Sequence, residues 1–139
     1  MNEDAAALLA KLARVRITCR IALGLVWLYE GVVPKLLFPR AGQTELVRQS
    51  GLSFGAPEVT LQVMGIAQAL VGIWLLSGIA ERAAAAFATA WMCVLIILVA
   101  SGKPDMLTDP FGALAKDMCL VACAYAVWAL SPLNSAGHA

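Results

Sequence analysis

Apolar residues in this chain run in blocks, and polar residues collect at the block ends. Residues 15–38, 58–77, 82–100 and 112–131 form four such blocks, each long enough to cross a hydrocarbon layer of about 30 Å as a helix. The blocks are apolar nearly all round. A soluble bundle would need polar stripes at a period of 3.6 residues. The pattern predicts an all-α fold: a single domain over residues 1–139, built as an integral membrane bundle of four transmembrane helices.

The connectors sharpen this picture. Residues 40–57 contain TELVRQS followed by Gly51, which reads as a short helix with a glycine stop. Leu46, Val47, Leu52 and Phe54 give it an apolar side, so a short interfacial helix is expected on the mouth of the bundle. Pro57 and Glu58 suit the first turn of the second span. Residues 78–81 are so few that spans two and three must form an antiparallel hairpin. Asp109 is a good N-cap for the fourth span, with Pro110 at its first helical position. At the N-terminus, Leu8, Leu9, Leu12 and Val15 recur at helical spacing opposite Lys11, Arg14 and Arg16. No breaker separates them from the first span, so a basic collar continuous with it is expected. Glu3 and Asp4 precede the basic residues and no small-residue cleavage site follows, which argues against a secretory signal.

Composition agrees with the membrane reading. The chain is 61% hydrophobic and only 14% charged, with a mean hydropathy of +0.81, too apolar for an ordinary soluble domain. A net charge of +1 and the lack of a basic patch with interleaved aromatics give no reason to expect a nucleic-acid partner. Lys11, Arg14, Arg16, Arg20 and Arg82 lie on the N-terminal side of the spans, against Arg40, Arg48 and Lys103 on the other. That bias places both termini in the cytoplasm and residues 40–57 outside.

With this topology the polar residues inside the spans gather in the outer half. Glu30 and Lys35 come from span one, Gln62 and Gln68 from span two, and Asp109, Lys116 and Asp117 from span four. An ionisable group at hydrocarbon depth usually faces protein or a cavity and marks a site. These groups either hold the helices in register or form a polar site at the outer mouth, with Tyr29 the aromatic expected to line it. Glu30 should lie roughly 12 Å below the outer end of its helix and Lys116 roughly 7 Å below the start of its own. A Glu30–Lys116 pair is expected, with Lys35 paired to Asp117 or facing the mouth. Only a kink at Pro34 would bring Lys35 to Glu30. Gly65, Ala69 and Gly72 line one face of span two with small residues, suiting close helix approach.

The run LGLVWLYEGVVPKLLFP, the connector ELVRQSGL and the later DPFGALAKD resemble the DoxX-like family of small bacterial membrane proteins, from Arg20 to about Leu130. Gly31, Pro34, Lys35, Phe38, Pro39, Gly51, Pro110, Phe111 and Lys116 carry the resemblance most specifically. It implies a four-helix bundle in the bacterial cytoplasmic (inner) membrane. Similar proteins include the small subunit of a thiosulfate:quinone oxidoreductase and, in a eukaryotic branch, membrane-protein assembly chaperones. At Asp109, where many family members carry histidine before the Pro-Phe pair, the resemblance supports no role that needs an imidazole.

Four cysteines complete the candidate chemistry: Cys19, Cys93, Cys119 and Cys123. No CxxC occurs. Cys93, Cys119 and Cys123 are the redox candidates, with Cys93 and Cys123 at similar depth; as small hydrophobes they are expected to be reduced and buried. No metal site is expected, since His138 is the single histidine and lies near the C-terminus. No cofactor motif is recognisable, although Trp27, Trp74, Trp91 and Trp128 could stack a quinone ring. No catalytic motif appears. Two functions remain open: an accessory or assembly subunit that meets another membrane protein or a second copy of itself, and the membrane component of a quinone- or thiol-linked redox system.

Overall fold

The computed structural model describes residues 3–39, 41–49, 51, 55–102 and 113–131. Five α-helices account for most of them: α1 (Glu3–Val32), α2 (Ala41–Gln49), α3 (Pro57–Ser77), α4 (Glu81–Gly102) and α5 (Ala113–Leu130). One π-helical turn, Val33–Leu37, extends α1 at its C-terminal end. The basic collar is thus continuous with the first apolar run, as expected from the lack of a breaker. Helix α2 begins three residues before the expected TELVRQS segment and ends before Gly51, whose φ of 69° is the left-handed stop. Leu52, Phe54 and Asp109 lie outside the described residues.

Three helices are long and apolar enough to cross a membrane among the described residues: Glu3–Leu37, Pro57–Ser77 and Glu81–Ser101. Helix α5 takes the place of the fourth expected run over 18 residues. The long helices pack in a ring. Helix α1 lies most extensively against α3 and also against α5, and α4 leans on α5 and touches α3 more lightly. Helix α2 rests on α3 and α4, with Val47 buried beneath it.

Helix α3 shows what kind of bundle this is. Leu61, Gly65, Gln68, Gly72 and Leu75 recur every three or four residues and are buried. Val59, Val63, Ile66, Leu70 and Ile73 run between them, and each is more than half exposed. Large apolar side chains therefore face outward, while glycine and a glutamine face inward. In water that exterior would be an unacceptable apolar surface; in hydrocarbon it costs nothing. The chain is a multi-pass, all-α membrane protein.

The α1–α3 contact is built on glycines. A Cβ on Gly31 would stand 2.6 Å from the Gly65 carbonyl oxygen, and one on Gly65 would stand 2.8 Å from the Gly31 oxygen. Seven residues away, a Cβ on Gly72 would meet the Leu28 nitrogen at 2.7 Å and the Gly24 oxygen at 2.9 Å. Gly24 and Gly31 on α1 thus oppose Gly72 and Gly65 on α3. Equal seven-residue spacing on two antiparallel helices keeps the backbones in contact for two turns.

Beside this seam lies an apolar core of Leu23, Trp27, Val71, Leu75, Ala84, Ala85, Ala88, Met92, Leu120, Ala124 and Val127. The alanines let α4 approach closely. Trp27 is buried, meets Trp91 edge-on at 6.4 Å, and continues through Phe87 to Trp74. The α3–α4 hairpin closes at Gly78, whose φ of 73° permits the C-cap bond to the Leu75 carbonyl at 3.3 Å. Trp74 Nε1 fastens the same turn by donating to the Ile79 carbonyl at 2.8 Å.

Candidate functional site

The end of α1 is reshaped by one proline. Pro34 has no N–H, so the α-helical bond it would have made to the Glu30 carbonyl is missing. The ladder slips by one residue, and the Phe38 N–H reaches back five positions to the Val33 carbonyl at 2.9 Å. Lys35 repairs the loss, its Nζ donating to the freed Glu30 carbonyl at 2.9 Å. Its stem runs inward against Gly65, where an added Cβ would come within 2.9 Å of Lys35 Cβ. Lys35 is 9% exposed. The π-helical turn brings Lys35 back to Glu30, but the ammonium binds the backbone oxygen of Glu30 and is not paired with Asp117.

The Glu30 carboxylate turns to α5 instead. Lys116 Nζ donates to Glu30 Oε1 at 2.7 Å, which is the pair expected from helix depth. Asp117 Oδ1 stands 4.0 Å from the same ammonium. Lys35, Lys116, Glu30 and Asp117 all lie within electrostatic reach of one another. Two cations and two anions thus make one neutral unit. It is only partly enclosed, since the Lys116 side chain remains 40% exposed and that of Glu30 29%.

Gln68 is buried beside the seam and touches Gly31, and its Oε1 has no hydrogen-bond partner among the described residues. Two other candidates lie apart: Gln62 is on the exposed face of α3, and Tyr29 is 59% exposed on the outer surface of α1. Tyr29 is adjacent to Glu30 in sequence, and a step of about 100° round the helix carries it to the other side. Among the described residues, no three His, Cys, Asp or Glu side chains converge as metal ligands.

The thiols depart from expectation. All four cysteines are free, but Cys93 and Cys119 are exposed on the outside of the bundle and Cys123 is only half-buried. Outward-facing positions on these helices are apolar, and cysteine satisfies that requirement as well as alanine does. Cys123 has Cys19 of α1 as its foremost thiol neighbour. Mild oxidation of purified protein should accordingly join Cys19 to Cys123. Peptide mapping that recovers Cys93 joined to Cys123 would contradict this arrangement of helices.

A second charged cluster, which the sequence reading did not anticipate, closes the opposite end. Arg20 Nη1 donates to Glu81 Oε1 at 2.6 Å, and Arg16 Nε lies 3.5 Å from Glu81 Oε2. The i,i+4 spacing of the two arginines and the position of Glu81 at the start of α4 were the available signals.

The molecule is a membrane bundle with a glycine seam and a charge group at the π-helical end of α1. A family model described as the DoxX-like family matches residues 24–125. The chain belongs to the DoxX-like family. The match covers all four glycines of the seam, Glu30, Lys35, Lys116, Asp117 and Gln68 of this DoxX-like chain; Arg16, Arg20 and Ser131 fall outside it. No curated protein and no solved structure matches the chain.

Proposed function

We propose that this DoxX-like protein is an accessory or assembly subunit that binds another membrane protein through the Glu30–Lys35–Lys116–Asp117 group. One observation carries the reading: an ion pair that is partly open on the flank of the bundle. Glu30 precedes Phe38 by eight residues, which at the helical rise is about 12 Å below the outer end of its helix. With α5 as the fourth span, that depth is within the hydrocarbon. Charged groups there are costly unless they face protein or water. A partner helix offering a polar side chain would cover the pair, complete its hydrogen bonds and gain specificity from doing so.

Purification of tagged full-length protein from its native membranes in mild detergent tests this. A single membrane protein should co-purify near 1:1 and be lost with Glu30→Gln in a variant that stays monodisperse. Recovery of the chain alone would remove the proposal. A second reading, the thiol-linked redox system, rests on the Cys19–Cys123 neighbourhood. A quinone stacked on Trp27 has little support, because that ring is already packed in the core.

The proposal includes an orientation in the bacterial inner membrane, with both termini cytoplasmic and α2 at the outer face. A cysteine at Gln49, in a chain freed of its own four cysteines, should react with an impermeant maleimide on intact cells. Reaction only after lysis would invert the topology.

A further inference from the structure

At the end of the bundle opposite the Glu30 group, Arg16, Gly78, Ala80, Glu81, Arg82, Ala83 and Ser131 line an open recess of about 380 Å³. We infer that this recess binds a phosphate group, presented by an anionic lipid headgroup or as a free ion.

The charge balance favours an anion. Glu81 is the acid of the recess, and it is already engaged: Oε1 accepts from Arg20 at 2.6 Å, and Oε2 lies 3.4 Å from Ser131 Oγ and 3.5 Å from Arg16 Nε. Two guanidinium groups, those of Arg16 and Arg20, meet that one carboxylate, and Arg82 lines the same recess, so the three arginines leave a surplus of two positive charges. Arg16 is the decisive residue. It is only 4% exposed, it lines the recess, and its Nε has no hydrogen-bond partner among the described residues. Its charge is met by Glu81 at 3.5 Å, but a buried guanidinium whose Nε makes no hydrogen bond still has donors to offer an anion. Arg82 flanks the recess from the other side, held by its guanidinium carbon 4.8 Å over the Trp128 ring. That contact immobilises the charge and leaves its edge donors free. The first turn of α4 adds its unpaired N–H groups, since residues 80–83 form the wall. A phosphate carries several acceptor oxygens and fits such a set of diverging donors better than a carboxylate does.

The position suits a lipid. The recess lies where α3 ends, α4 begins and α5 ends, at the rim between the apolar flanks and the basic collar. A headgroup phosphate could enter it while the acyl chains follow the exposed apolar side chains of the bundle.

Native mass spectrometry of the full-length protein in detergent provides the test, with phosphatidylglycerol and phosphatidylcholine titrated separately and together with inorganic phosphate. Phosphatidylglycerol should be retained preferentially, and Arg82→Gln should reduce that preference at least about tenfold, the loss expected for one hydrogen bond to a charged group. Arg14→Gln removes the same charge outside the recess and should leave the preference unchanged. Competition by millimolar inorganic phosphate would assign the site to the free ion; persistence of the lipid adduct would assign it to the headgroup. Equal retention of the two lipids with no effect of phosphate would overturn the inference, as would an equal loss in Arg14→Gln and Arg82→Gln. Arg82 is exposed and its replacement is compatible with folding, so the outcome does not depend on a variant at buried Arg16.

Discussion

Glu30→Gln should destabilise the protein by roughly 3 kcal/mol, and Lys116→Met by a similar amount, whereas the double variant should lose far less than the sum. The reason is stranding. Without the Glu30 carboxylate, Lys116 and Lys35 are opposed by Asp117 alone, and the group acquires a net positive charge. Without Lys116, the two carboxylates have only Lys35, whose ammonium is already bound to the Glu30 carbonyl. Removing both charges restores neutrality and leaves Lys35 with Asp117. Thermal unfolding of the four proteins in one detergent measures the coupling. Losses that simply add would mean that the 2.7 Å contact contributes nothing.

Gly31→Ala should be at least as damaging, although it adds a single methyl group. That methyl would stand 2.6 Å from the Gly65 carbonyl oxygen and 2.7 Å from the Ala69 nitrogen. Both are backbone atoms and cannot rotate away, so α1 and α3 must separate. Separation would open the glycine seam and pull Lys35 from Gly65. Overpacking a core side chain costs about 1–3 kcal/mol, and a clash between backbones should exceed the top of that range. Gly42→Ala is the matched control. Nothing lies within 4 Å of a Cβ there, and alanine favours the helix by up to about 1 kcal/mol over glycine. A Gly31→Ala protein that elutes and melts like the parent would show that the helices do not touch at this seam.

Much of this was legible in the sequence, for identifiable reasons. Helix lengths followed from apolar runs, and the Glu30–Lys116 pair followed from depth, because the ends of each apolar run fix the height of the residues along it. Rotation about a helix axis was harder. Tyr29 and Gln62 were at suitable heights but point outward, and Cys93 does not face Cys123, because apolar blocks without a polar stripe give no signal of which side faces inward. Gly65 and Gly72 were recognised as a small-residue face, whereas their partners Gly24 and Gly31 were hidden among large apolar neighbours. The Arg16–Arg20–Glu81 cluster escaped notice because Arg16 and Arg20 read as flanking charges that set orientation. Only the packed bundle shows them closing on Glu81.

Another membrane protein is proposed to cover the Glu30–Lys116 charge group. A photo-crosslinking residue at Leu37, exposed at the rim two positions beyond Lys35, tests it in intact membranes, with Ile73 on the far half of α3 as the comparison. Illumination should give one discrete protein adduct from position 37, absent at position 73 and abolished when Glu30→Gln is introduced. Lipid adducts alone from position 37, or an adduct indifferent to Glu30, would contradict the account.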